Sequence, residues 1–192
     1  MQKIKVSLDY NTITVKQYVD FLNNEGNDVG QVSAILGQPK DFVRQLTPED
    51  MEKAITAFRE VIANPFANHQ LKWKGYGFIP DINKMSFGEW LDLDSNNKDY
   101  PKSLPKLLSI LYRPISSEIG TKYKIEQYTA DHLANAKDFE SMPLSIANGA
   151  LLFFSNIEKE LVNTSLSFLE SQIQENLTKA MKMMEEALQQ AN

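Results

Sequence analysis

The feature that most constrains how this chain folds is a stretch that occurs twice. Residues 6–21, VSLDYNTITVKQYVDF, return 72 positions later as residues 78–93, FIPDINKMSFGEWLDL. Asp9 aligns with Asp81, Asn11 with Asn83 and Asp20 with Asp92. Chemistry is also kept at Ile13 and Met85, Thr14 and Ser86, Val15 and Phe87, Gln17 and Glu89, Tyr18 and Trp90, and Val19 and Leu91. Thr14 with Gln17, and Ser86 with Glu89, have the spacing of a capping box. In that device a hydroxyl accepts from an orphan backbone N–H while the longer side chain bonds back to the cap's own N–H. Ile13 with Tyr18, and Met85 with Trp90, have the spacing of a hydrophobic staple. Box and staple together, twice, predict that the chain is built from two diverged copies of one unit.

With 192 residues, 42% of them hydrophobic, the chain can bury one core, or two small ones fused along a shared face. Twenty basic side chains against 25 acidic ones give a net charge of −5, which argues against a broad grip on nucleic-acid phosphates. Without cysteine there is no disulfide, thiolate nucleophile or sulfur metal ligand, a composition that suits a reducing cytoplasm. MQKIKVSLDY holds no apolar core of signal-peptide length, and no run approaches the roughly 18 apolar residues of a membrane span.

Along the first half, residues 2–8 alternate as a strand with one buried face. The first helix is predicted from Val15 to about Asn23, followed by a loop, NNEGNDVG, and a second apolar segment from Val32 to Leu36 that stops at Gly37. PKDFVRQL reads as a helical turn or two. Thr47 caps the next helix, with Pro48 first and Glu49 and Asp50 where they favour the dipole. Its stripe of Met51, Ala54, Ile55, Phe58 and Val61 faces a core, and Asn64 and Pro65 end it. The junction near LKWKGYG reads as a strand with Leu71, Trp73 and Tyr76 inward and Lys72 and Lys74 guarding an edge; interleaved aromatics and lysines also fit a nucleic-acid stacking strip.

The second half repeats the plan. A helix begins near Phe87, DSNNKDYPKS is a polar loop, and LPKLLSILYRP matches VSAILGQP at a spacing three residues longer. ISSEIGTKYKIEQY predicts a β-hairpin turning at Gly120 and Thr121. Pro143 opens a strongly apolar helix, expected to be the most buried one. From Asn156 onward the pattern changes to a long amphipathic helix that either folds back on its own domain or meets a partner chain, with Leu166, Leu169, Ile173, Leu177, Met181, Met184 and Leu188 as candidate partner-binding residues. The expected divisions are residues 1–65, 66–155 and 156–192, the first two sharing a core.

Candidate chemistry is sparse. His69 and His132 each lie in a polar stretch and read as surface side chains, and neither stands beside acids at metal-ligand spacing. Glu89, Asp92 and Asp94 have a spacing a cation can use, although a helix start and a solvated loop account for them. Asp20 and Asp92 are expected to do one structural job twice, accepting backbone donors, and Arg113 is a candidate partner for one of these acids. No catalytic, cofactor or metal site is expected.

In order and spacing, YGFIPDINKMSFGEWLDLD, LLSILYRPI, YKIEQY and FESMPLSIANGALLFF resemble small acidic proteins encoded among the virion and tail genes of tailed bacteriophages, crAss-like phages included. The resemblance covers about residues 9–154 and carries no functional residues over. It implies a non-enzymatic tail assembly chaperone or minor virion component, in the host cytoplasm or the particle, whose partners are other phage structural proteins or its own copies. The alternative from another class is a small host-takeover enzyme or nucleic-acid-binding protein. The fold expected is α+β and mostly helical: two copies of a strand-helix-helix-helix unit, a hairpin in the second, and the C-terminal helix.

Overall fold

The structure is a computed structural model that describes residues 8–81 and 84–153. The strand expected over residues 2–8, the paired Asn83 and the amphipathic segment from Asn156 onward lie outside the described residues, save Leu8. What is described is a mixed α+β protein, mainly helical, with a small antiparallel sheet.

Helix α1 spans Val15–Asn23, and its capping box is formed: the Gln17 N–H donates to Thr14 Oγ1 at 3.2 Å and the Thr14 N–H to Gln17 Oε1 at 2.9 Å. Helix α2 spans Asp28–Leu36, so it starts four residues before the apolar segment the sequence marks. The correction has a local cause. Asn27 caps the helix by accepting the Gly30 N–H at 3.1 Å, and Gly30 is buried where a Cβ would stand 2.1 Å from Asn24 Oδ1. The glycine that reads as a loop marker permits this close approach. Gly37 ends α2 in the left-handed conformation, with φ at 62°.

After the short α3, Lys40–Val43, helix α4 spans Pro48–Ala63 with Thr47 as cap. Ala54, Ile55 and Phe58 are buried, while Met51 and Val61 at the margins of the stripe are half-buried. Phe58 meets Phe21 of α1 with ring centroids 4.7 Å apart. α2 packs against both α1 and α4.

The chain then forms strands β1, Lys72–Trp73, and β2, Tyr76–Gly77, joined by Lys74 and Gly75 at φ of 45° and 87°. Two positive values are what a type I′ hairpin turn requires. The turn confines the expected strand to two residues and leaves Leu71 exposed rather than inward, with Trp73 and Tyr76 half-buried. Tyr76 packs on Phe139 at 4.9 Å. β3, Arg113–Ile119, and β4, Lys122–Ile125, form the expected hairpin, and the sheet runs β1-β2-β3-β4. At Gly77 a Cβ would stand 2.4 Å from the Tyr123 ring, so the sheet needs glycine there.

Helix α5 spans Phe87–Asn97 with its own complete capping box, Glu89 N–H to Ser86 Oγ at 3.2 Å and Ser86 N–H to Glu89 Oε2 at 3.4 Å. It continues through four polar residues, Asp94 to Asn97, that read as loop. Helix α6, Leu104–Leu111, follows; six of its eight residues are buried. It is more enclosed than helix α7, residues 144–153, which was expected to be the most buried. The reason is position: α6 packs against α5, α1 and the 3-10 segment Ala130–Ser141. α7 is capped by the chain crossing it, where Asn68 N–H donates to the Ser145 carbonyl at 2.8 Å. Its outer residue Leu152 is exposed.

A β-bridge between Thr14 and Pro143 fastens the two regions together. The Val15 N–H donates to the Met142 carbonyl at 2.9 Å and the Leu144 N–H to the Ile13 carbonyl at 2.7 Å. Residues 8–152 belong to one compact unit. Among the described residues no helix is long and apolar enough to cross a membrane.

Candidate functional site

The residues with the most chemistry converge between the first turn of α5, the start of β3 and the segment after β4. They floor a cleft of about 420 Å3 whose apolar wall includes Phe78, Met85, Tyr123 and Ile125. Glu89 is the third residue of α5, and the capping box that starts the helix also orients its carboxyl. Arg113 enters at the end of α6, as the first residue of β3.

Arg113 Nη2 lies 3.6 Å from Glu89 Oε1, with 11% and 5% of the two side chains exposed. Arg113 Nη1 donates to the Glu126 carbonyl at 3.0 Å, while its buried Nε has no hydrogen-bond partner among the described residues. Burial pushes the Glu89 carboxyl above its ordinary value, and the Arg113 charge pulls the other way without overcoming it. Arg113 is thus the acid partner that the sequence anticipates.

A second set of contacts lies one helical turn on. Asp92 accepts the Tyr128 hydroxyl at 2.7 Å, and burial followed by the Asp92 contact raises the Tyr128 hydroxyl pKa. Tyr128 stacks on His132 at 5.8 Å and 21°. His132 is buried, against the expectation of a surface side chain. Its Nδ1 takes the Thr129 N–H at 3.0 Å and its Nε2 stands 3.5 Å from Glu126 Oε2. The 3-10 segment Ala130–Ser141 is polar in sequence but packs on α6, and the Tyr128 ring lies against the imidazole. His69 is exposed.

The three acids weighed as cation ligands are separately engaged: Glu89 faces Arg113, Asp92 holds Tyr128, and Asp94 pairs with Lys98 at 3.4 Å. Among the described residues no group of three or more potential ligands can hold a metal ion. Asp20 and Asp92 do not share a side-chain role, since Asp20 pairs with Lys16 at 2.9 Å. Their shared job belongs to their carbonyls, each accepting at 2.8 Å from the amide of an asparagine one turn on, Asn24 and Asn96. These asparagines have the spacing of the repeated stretch, a signal present in the sequence beyond the compared windows.

Lys72 and Lys74 of the aromatic–basic junction are engaged within the fold. Lys72 pairs with Glu118, and Lys74 donates to Ser141 Oγ at 2.8 Å and lies over the Trp73 ring. The partner-binding candidates Leu166, Leu169, Ile173, Leu177, Met181, Met184 and Leu188 lie outside the described residues.

Matched positions of α1 and α5 differ most on one face. Val15 and Val19 are 0% and 9% exposed, whereas Phe87 and Leu91 are 76% and 50% exposed. On the opposite face Phe21 and Leu93 are both buried. The arrangement therefore offers a half-apolar cleft with a buried ion pair and, on α5 beside it, an uncovered apolar edge. Comparison with protein families, curated proteins and solved structures finds no match.

Proposed function

We propose that this is a non-enzymatic structural or assembly protein of a tailed bacteriophage, a tail assembly chaperone or minor virion component that acts through protein–protein contacts. In this reading the chain is two diverged copies of a strand-helix-helix-helix unit, with a β-hairpin inserted in the second and a long C-terminal amphipathic helix. The observation that carries it is the exposed pair Phe87 and Leu91, an apolar helix face of the kind that marks contact surfaces. The two capping boxes, and the matched Asn24 and Asn96 contacts, support the duplication. The partner is another phage structural protein or further copies of this chain, engaged through the α5 face and through Leu166 to Leu188.

The test is light scattering at several concentrations, followed by co-expression with candidate tail proteins. A discrete oligomer, or a tail protein kept soluble only with this chain present, supports the reading; a monomer that retains no tail protein overturns it. The rival, a small host-takeover enzyme or nucleic-acid-binding protein, has the Glu89–Arg113 cleft in its favour. Salt-dependent retention on DNA, or a small molecule retained by the cleft, would favour it.

A further inference from the structure

The exposed edge of α5 has a covered counterpart inside the same molecule. At the start of α1, residues Met142, Pro143 and Leu144 lie extended across Ile13 and Val15. Met142 and Leu144 are 0% and 4% exposed there, and Ile13 and Val15 are 1% and 0% exposed. The cover is held by the two backbone hydrogen bonds of the bridge and, at its margin, by Lys16 with Glu140 at 3.9 Å. At the start of α5 the matching backbone groups are the Phe87 N–H and the Met85 carbonyl, and no hydrogen bond among the described residues uses either. Met85 is half-buried, and Phe87 and Leu91 are exposed.

We propose that the edge from Met85 to Leu91 docks an extended, proline-containing apolar segment of a partner protein, of the chemistry of Met142-Pro143-Leu144, which bridges to Met85 and Phe87. The mode is strand addition at a helix start: two backbone hydrogen bonds fix the register and apolar side chains cover Phe87 and Leu91. It deepens the protein-contact reading above and rests on it.

The experiment titrates full-length protein with a synthetic peptide spanning residues 138–146 of this chain, DFESMPLSI, followed by calorimetry. Saturable binding is expected, weakened at least tenfold by Phe87→Ser or Leu91→Ser, both exposed positions where the fold tolerates the change. Absence of saturable binding, or an affinity unchanged by both Ser variants, overturns the proposal. So does binding lost in Val15→Thr and kept in Phe87→Ser, which would place the peptide on α1. A solution dimer dissolved by Phe87→Ser, with no peptide bound, would assign the face to a second copy and overturn it as well. Peptide binding without retention of any tail protein would leave the site standing and sink the phage reading alone.

Discussion

Glu89 and Arg113 face each other at 3.6 Å in the floor of the cleft, too far for a tight hydrogen bond, and each is almost fully buried. Helix α1 makes the matching link without charge: Gln17 at the same helical position donates its amide to the Ile35 carbonyl at 2.8 Å, near the end of α2. In both places the third residue of one helix reaches the end of the next, but only the link from α5 pays for burying two charges.

Removing one member of this pair strands the other. Arg113→Met should lower stability by about 3 kcal/mol at pH 8, where Glu89 must ionise without a counter-charge. At pH 5 the loss should shrink, because Glu89 can take up a proton. Urea unfolding at the two pH values checks this; equal losses would mean that the pair does not carry the effect.

The sign of the pH dependence follows from the direction of the Glu89 shift. Its folded-state pKa lies above the ordinary value of 4.5, so its contribution to stability is fully present below that pH and is lost as pH rises through the folded value. Wild type should therefore lose stability relative to Glu89→Gln as pH rises from 4.5. The Gln variant keeps the capping box, as Gln17 does, and isolates the titration. Parallel stability curves for the two proteins from pH 4 to 8 would contradict it.

The two caps can be removed one at a time. Thr14→Ala and Ser86→Ala should each cost about 1 kcal/mol, with the larger loss at Thr14. Thr14 also sits within the bridge to Pro143, so fraying α1 disturbs the cover over Val15. Thermal unfolding of both variants measures the difference.

Gly77→Ala should cost about 1 to 3 kcal/mol by overpacking the sheet. The Tyr123 ring that a Cβ would strike is itself pinned, its hydroxyl donating to the Phe78 carbonyl at 2.7 Å. Tyr123→Leu in the same background should recover part of the loss, which a double-mutant cycle reads directly.

Local signals carried much of this fold. Thr14, Gln17, Ser86 and Glu89 marked both helix starts, Thr47 and Pro48 marked α4, and Gly120 with Thr121 placed the β3–β4 turn. The misses share a cause, since residues with loop-like composition were held by contacts that composition does not encode. Gly30 read as loop because its tight packing against Asn24 is invisible in one dimension. Asp94 to Asn97 read as loop, yet Asn96 braces that helix end through the Asp92 carbonyl. His132 reads as surface because its segment is polar, yet that segment packs on α6, distant in sequence, and the Tyr128 ring stacks on the imidazole. Of the cleft, Arg113 was legible as a partner for an acid. Glu126 and Tyr128 were not, because only the β3–β4 hairpin brings them beside α5.

The bridge from Ile13 and Val15 to Met142 and Leu144 also sets an order of events during synthesis. A nascent chain that has emerged only through α4 has made α1 but not the segment that seals it, so Ile13 and Val15 stay bare until residues 142–144 leave the ribosome. Contacts so distant in sequence form late and slowly. Helix α1 therefore spends its time on the ribosome with an apolar start exposed, as the α5 start is in the finished protein, where no hydrogen bond among the described residues uses the Phe87 N–H or the Met85 carbonyl.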